Sequence, residues 1–198
     1  MNNYFIAHKP YNVLSQFSYA DGKQTLKSIF DVPSNVYPVG RLDYDSEGLL
    51  ILTDDTKLNK LLLSPSFGHE REYWVQVEGE IPEQAIDELQ QGVSINHNGR
   101  IYFTKKSIVK KFSSHFPEID ARNPPIRFRK NIPESWISII LTEGKNRQVR
   151  KMTARVGYPT LRLIRYRIEN ITLGKLKAGE MRKVSQEEMY NLLKINKR

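Results

Sequence analysis

Apolar and polar positions along the chain fall into short period-two runs interleaved with stretches of helical period, and no longer repeat emerges. Residues 4–8 and 36–40 read as short strands, and Leu49-Leu50-Ile51-Leu52-Thr53 is a continuous apolar run of the buried-strand type. Asp54 or Asp55 can cap a helix that runs to about Leu63 and stops ahead of Pro65. Glu72 to Glu78 is rich in aromatic and β-branched residues and ends at Gly79, as a strand does. Pro82 suits the first turn of a helix that Gly92 closes. Asn98-Gly99, set between Val93-Ser94-Ile95 and Ile101-Tyr102-Phe103, predicts a tight hairpin. Prolines at 117, 124, 125 and 133 mark a long exposed loop. Beyond it, Trp136 to Leu141 reads as a strand, 145–156 as a helix and 160–173 as further strand. Ser185 with Glu188 makes a capping box for a last helix to about Lys194. Mostly antiparallel strands with interspersed helices predict an α+β fold with a mixed, largely antiparallel sheet and flanking helices.

Composition narrows the function classes. A chain of 198 residues suits a single domain, expected to span 1–198. Without cysteine there is no disulfide, no thiol nucleophile and no Cys-ligated metal. His8, His69, His97 and His115 lack the spacing of a metalloprotease helix, so no metal is expected. No apolar run reaches the roughly 18 residues of a membrane span, and the first ten residues do not form a secretory signal. The expected compartment is the cytoplasm.

Charge adds a partner. The chain carries 31 Lys+Arg against 22 Asp+Glu, a net +9. From Lys145 to Arg167 there are eight basic residues and no acid, while Glu78, Glu80, Glu83, Asp87 and Glu88 gather elsewhere. Segregation of this kind is what a phosphate-tracking surface requires. A solvated basic face without a partner has the same composition.

Three local patterns carry candidate chemistry. The segment Gly40-Arg41-Leu42-Asp43-Tyr44-Asp45-Ser46-Glu47-Gly48 sets three acids at alternate positions in a turn between two strands, which presents a carboxylate rigidly. Its spacing also touches that of a calcium loop, but Glu47 and Asp54 stand where Asp or Asn and a bidentate Glu belong, and a buried strand follows. On a helix, Arg147, Arg150, Lys151 and Arg155 share one side, with Val149, Met152 and Val156 opposite. Periodicity alone makes that an ordinary amphipathic surface helix. In Arg71-Glu72-Tyr73-Trp74-Val75 the two rings point to opposite faces, so at most one can stack on a base; aromatic strand residues are more often core.

Together these residues resemble the pseudouridine synthases of the RsuA-like family. Gly-Arg-Leu-Asp followed by Ser-Glu-Gly-Leu-Leu, at Gly40 to Leu50, matches the catalytic signature of that family. His8-Lys9-Pro10, Arg71 to Tyr73, Glu143-Gly144-Lys145-Asn146-Arg147-Gln148-Val149-Arg150 and Leu163-Ile164-Arg165 match as well. Thr53-Asp54-Asp55-Thr56 departs from the usual Thr-Asn-Asp-Gly. The similarity is greatest to a branch that acts on large-subunit ribosomal RNA and lacks an N-terminal S4-type module.

The resemblance implies isomerisation of a uridine in RNA to pseudouridine without a cofactor, in a fold with a central basic cleft. By carry-over, Asp43 is the catalytic carboxylate, as a nucleophile at C1′ or as the base removing the C2′ proton. Tyr73 is implied to stack on the uracil, which must leave its helix to be reached. Arg150 is the implied charge partner of Asp43, with Arg147 as runner-up. Arg41, Lys145, Arg147, Lys151, Arg155, Arg162 and Arg165 are implied to hold RNA phosphates. The expected partner is ribosomal RNA, not a membrane, and the expected state is a monomer. The main alternative is a non-catalytic RNA-binding or ribosome-assembly protein on the same fold; Asp43 separates the two, because a carboxylate in a polyanion site costs affinity unless chemistry needs it. A membrane-surface protein would need a strongly amphipathic helix that the sequence lacks.

Overall fold

The structure, a computed structural model, describes residues 2–112, 119–126 and 132–195. The chain begins with β1 (Tyr4–Lys9), β2 (Val13–Leu14), β3 (Gln24–Thr25), β4 (Tyr37–Pro38) and β5 (Glu47–Thr53), then α1 (Thr56–Leu63). Next come β6 (Arg71–Glu78), α2 (Glu83–Gln91), β7 (Ser94–His97), β8 (Arg100–Phe103) and β9 (Ile108–Lys111). It ends with β10 (Glu134–Leu141), α3 (Gln148–Arg155), β11 (Thr160–Ile168), β12 (Ile171–Thr172), β13 (Met181–Lys183) and α4 (Gln186–Leu192). The fold is α+β, and the chain divides into two compact units, one of residues 2–69 with 164–195 and one of residues 70–163.

In the first unit β5 is the central strand. It pairs antiparallel with β1, from Tyr4↔Thr53 to Lys9↔Gly48. It also pairs parallel with β11, at Ile164↔Glu47 and Arg165↔Gly48. All seven of its residues are buried, which explains why the run from Leu49 to Leu52 is apolar throughout and does not alternate. The strand starts two residues earlier than the apolar run suggests, because Glu47 and Gly48 are drawn into the pairing. On the other edge of β1, β13 pairs antiparallel at Phe5↔Lys183. Phe5, Ala7, Val13, Leu26, Phe30, Val36, Leu50 and Leu52 form the core.

Asp55 joins three elements of this unit. Its Oδ1 accepts from the amides of Lys57 at 2.9 Å and Leu58 at 3.0 Å, capping α1. Its Oδ2 accepts from the hydroxyls of Tyr4 and Tyr190, each at 2.7 Å. Burial pushes the Asp55 carboxyl up, but these four bonds to its charged form prevail and hold it below the usual carboxylate range. Burial and the same carboxylate push the Tyr190 hydroxyl up to about 12. Ser185 caps α4 by accepting from the Glu188 amide at 3.0 Å, while the Glu188 carboxylate bonds to Arg182 at 2.7 Å, so the capping box is closed on one side only.

In the second unit β6 and β10 pair antiparallel from Arg71↔Leu141 to Glu78↔Glu134, and β9 pairs with β10 at Ile139↔Val109. Val75, Val77, Ile81, Leu89, Ile137, Ile139 and Met152 pack into its core. The hairpin β7–β8 turns at Asn98 and Gly99, both at positive φ (54° and 77°), the conformation that this residue pair favours. Pro82 sits at the N-cap of α2, just outside the first turn.

Several elements depart from the sequence reading. The short strands β2, β3 and β9, and β13 near the C-terminus, lack alternation long enough to read and form because partner strands lie beside them. The helix expected over 145–156 begins only at Gln148, because Arg147 is left-handed (φ 53°). The strand expected over 160–173 breaks between β11 and β12, where Glu169 is left-handed (φ 48°). The loop expected between Pro117 and Pro133 lies largely outside the described residues.

Replacement of Asp55 by Ala removes the cap and both tyrosine bonds, and is expected to lower stability by about 3 kcal/mol at pH 7. Because the folded carboxyl titrates below its unfolded value, its contribution is complete above the usual carboxylate range and disappears as pH falls through the folded value. Urea denaturation from pH 7 to pH 3 should therefore show the gap between wild type and Asp55→Ala closing at the acid end.

Candidate active site

In the first unit the acidic turn stands immediately before β5. The Ser46 amide donates to the Asp43 carbonyl at 3.1 Å, closing a turn over Asp43 to Ser46. Asp43 and Asp45 are half-buried, Glu47 is 2 % exposed, and Arg41 is exposed. The turn is anchored on both sides. Ser15 Oγ donates to the Leu42 carbonyl at 2.8 Å and accepts from the Leu42 amide at 3.0 Å. The Asn12 amide donates to the Tyr44 carbonyl at 3.0 Å, and Lys23 Nζ lies 5.4 Å from the centre of the Tyr44 ring. Nothing in the sequence pattern marks Ser15 as a clamp; its two bonds to Leu42 span 27 residues. The calcium-loop spacing has no counterpart, because Glu47 to Thr53 is strand.

Gly48 fixes how the turn enters the sheet. Its φ is +115°, and a Cβ placed there would lie 2.4 Å from the Arg165 carbonyl oxygen and 2.6 Å from the Arg165 nitrogen. Only glycine permits that backbone approach. Beside it, Arg165 is 5 % exposed and its Nε donates to the Leu49 carbonyl at 2.8 Å. Lys9, paired with Gly48 from the other side, is fully buried.

The second unit carries the other motif residues. Tyr73 is half-buried against the unit's core, whereas Trp74 is 8 % exposed and packs edge-on against Phe112 at 5.6 Å. The two rings therefore take opposite faces of β6, as strand alternation requires. Ahead of α3, Glu143 organises the loop. It accepts from the Tyr102 hydroxyl, from the Lys105 amide at 2.9 Å and from Gln148 Nε2 at 2.6 Å. Gln148 in turn accepts from the Lys145 amide at 2.9 Å. The bond to Glu143, with burial, pushes the Tyr102 hydroxyl up to about 12. Burial pushes the Glu143 carboxyl up, but its hydrogen bonds outweigh that and hold it low. Lys145 Nζ lies 4.9 Å from the Tyr102 ring centre.

The basic residues implied by the sequence are dispersed in character. Arg147 is exposed and precedes α3, so it does not share a helix face with Arg150; its left-handed backbone overrides the periodicity. Arg150 is half-buried, with Nη1 3.5 Å from the Thr160 carbonyl. Lys145 and Lys151 are half-buried. Arg155 is exposed and lines an open groove of about 690 Å³ with Gln84, Asp87, Glu88 and Phe103, in the company of two carboxylates. Arg162 is 7 % exposed, its Nη1 donating to the Asp120 carbonyl at 3.0 Å. Arg162 and Arg165 are thus internal cations, a placement that a basic run in sequence does not distinguish from a surface one.

Comparison with known proteins adds identity to this geometry. The sequence profile described as RNA pseudouridylate synthase matches residues 3–155. A ribosomal large subunit pseudouridine synthase E from Vibrio parahaemolyticus is 45% identical over 179 residues, covering 90% of this chain and 72% of the relative. The Xanthomonas campestris protein of the same description is 44% identical, covering 89% and 92%. Among solved structures, a crystal structure of a pseudouridylate synthase superposes with a TM-score of 0.79 at 25% identity, over 97% of this chain and 74% of that one. The fold and these matches define an RNA-modifying isomerase. The chain belongs to the RNA pseudouridylate synthase family and is an RNA pseudouridine synthase. Among the described residues no helix is long and apolar enough to cross a membrane.

Replacing Gly48 with Ala forces a Cβ into the Arg165 backbone at a φ that L-residues avoid. The expected loss is on the order of 3 kcal/mol, read by thermal or urea unfolding. Gly144, where an added Cβ meets nothing within 4 Å, serves as the control, and Gly144→Ala should unfold close to wild type.

Proposed function

We propose that this enzyme converts a uridine of large-subunit ribosomal RNA to pseudouridine, with Asp43 as the catalytic carboxylate. The observation that carries the reading is the clamped acidic turn. Asp43 is presented by a segment tied to Ser15, Asn12 and β5, at the position where the family signature has its catalytic Asp. The large-subunit target rests on relatives from Vibrio and Xanthomonas that are described as ribosomal large subunit pseudouridine synthases.

The reaction breaks the N1–C1′ bond and forms a C5–C1′ bond, with no net redox change and no group transferred to another molecule. A carboxylate serves it either by attacking C1′ or by taking the C2′ proton, and both routes use the same placement of Asp43. Tyr73 stacks on the extruded uracil in this reading, and Arg150 or Arg147 is the cationic partner of Asp43; these assignments rest on motif position in the sequence. Arg41, Lys145, Arg147 and Lys151, exposed or half-buried, suit phosphate contacts that position RNA without reading its sequence. The proposed working form is one catalytic domain acting as a cytoplasmic monomer.

A pseudouridine map tests the proposal. Unmodified large-subunit RNA is incubated with wild type and with Asp43→Asn, then read by carbodiimide-dependent primer-extension stops. One new stop is expected with wild type only, while RNA binding by Asp43→Asn largely persists; conversion by a clean Asp43→Asn preparation would overturn the assignment of Asp43. Stops on small-subunit RNA alone would remove the large-subunit target. At Tyr73, replacement by Phe should leave RNA affinity nearly normal, whereas Tyr73→Ala should lose about 1–3 kcal/mol of base stacking. Equal affinity of the two variants in a binding titration would argue against the stacking role.

A further inference from the structure

Glu143 is the single acidic residue from Leu141 to Arg167, the most basic stretch of the chain. It stands between β10 and α3, two residues before Lys145 and four before Arg147. Neither the catalytic reading nor phosphate contact accounts for it. A negative charge beside a phosphate-binding loop weakens the attraction of RNA, so such a group needs another use.

Both carboxylate oxygens of Glu143 are bonded within the second unit. Oε1 accepts from the Lys105 amide at 2.9 Å and from Gln148 Nε2 at 2.6 Å, while Oε2 accepts from the Tyr102 hydroxyl. Gln148, only 4 % exposed, carries the connection onward. Its Oε1 accepts from the Lys145 amide at 2.9 Å, and its own amide donates to the Lys145 carbonyl at 3.0 Å. Both backbone polar groups of Lys145 are thereby tied to the first residue of α3. The Arg147 carbonyl accepts from the Lys151 amide at 3.0 Å, which fixes the left-handed residue on the same helix.

The side-chain amide of Gln148 can serve its two partners in one orientation only, nitrogen towards the carboxylate and oxygen towards the Lys145 N–H. Glu143 sets that orientation. It also joins the segment to the end of β8, where Lys145 Nζ lies 4.9 Å from the Tyr102 ring centre. Gly144, Asn146 and Arg147 are exposed, so the loop that these bonds order faces solvent.

We infer that Glu143 is a positioning residue for RNA binding: through Gln148, Lys105 and Tyr102 it holds the loop from Gly144 to Arg147 in the backbone geometry from which Lys145 and Arg147 meet RNA phosphates. The inference rests on the proposed phosphate contacts of those two cations. A loop ordered before RNA arrives binds more tightly than one that must be ordered on contact. That gain outweighs the repulsion between the carboxylate and the phosphates.

Two variants with the same charge separate positioning from electrostatics. Glu143→Ala and Glu143→Gln both remove the negative charge, and electrostatics alone would tighten RNA binding equally in both. In Glu143→Gln the side-chain oxygen can still accept from Gln148 and from the Lys105 amide, with the Tyr102 hydroxyl turning from donor to acceptor. Glu143→Ala leaves all three donors without an acceptor.

The experiment titrates unmodified large-subunit RNA with wild type and both variants over a range of salt, at a temperature where urea unfolding shows each to be folded. Glu143→Ala is expected to bind roughly tenfold more weakly at about 0.15 M salt, with the slope of log affinity against log salt flattened by roughly one. Glu143→Gln should stay within about threefold of wild type. A purely structural role would lower stability without changing that slope, because the number of neutralised phosphates would be the same. Gln148→Leu, which keeps the carboxylate but breaks its connection to Lys145, should also weaken binding and decides the matter if Glu143→Ala does not fold.

Equal affinities for the two Glu143 variants, tighter binding by Glu143→Ala, or an unchanged slope would overturn the inference. Lys145→Ala and Arg147→Ala in the same titration show which part has failed. If each flattens the slope and Glu143→Ala does not, the role of Glu143 alone is lost. If neither does, the phosphate contacts of the loop are lost, and the inference with them.

Discussion

The close approach of β5 to β11 at Gly48 is the constraint on which the acidic turn depends. Parallel pairing brings the Arg165 backbone so near that no Cβ fits at residue 48. The same residue pairs with Lys9 across β1. A glycine with a positive φ, flanked by two buried cations, thus sits at the start of a fully buried strand, next to Glu47 and just after a turn that carries Asp43 and Asp45. The turn itself is held by its own backbone bond, by the clamp from Ser15 on Leu42 and by the bond from Asn12 to Tyr44.

Internal charge in both units follows one pattern. The internal carboxylates of both units meet opposite charges or several hydrogen-bond partners. Asp55 accepts four bonds, Glu143 three, and Glu169 lies between His69 at 3.1 Å and Lys194 at 2.9 Å. Desolvation makes isolated charges expensive, so such groups specify how strands and loops meet more than they add net stability. An RNA enzyme with a net +9 charge therefore uses part of its basic content inside the fold, as Lys9, Arg162 and Arg165 show, and only the rest can face a polyanion.

Much of the architecture was legible in the sequence. The apolar run at Leu49 to Leu52, the Asp55 cap, the Asn98-Gly99 turn and the Ser185 cap all encode local free-energy preferences that tertiary packing reinforced. The candidate site was legible where motif and geometry coincide, at Gly40 to Leu50. Residues whose roles depend on distant partners were not. Ser15 gives no sequence signal as the clamp of Leu42, and Lys9 shows only as a basic residue at the end of an apolar strand. Arg162 and Arg165 look in sequence like any other members of a basic run.

The sequence by itself determined the α+β class, the family, the long central strand, the helix caps and the position of the acidic turn, because each is written in residues within a few positions of one another. Tertiary structure alone decided which cations are buried, where α3 starts, and which short segments become strands. Arg147 adopts a left-handed backbone against its helical periodicity; β2 and β3 gain their order from each other across a loop, and β9 and β13 from strands further away in the chain. Pairing across such separations depends on backbone groups that every residue shares, so its partners are chosen by the packing of the whole unit and leave no local pattern to read.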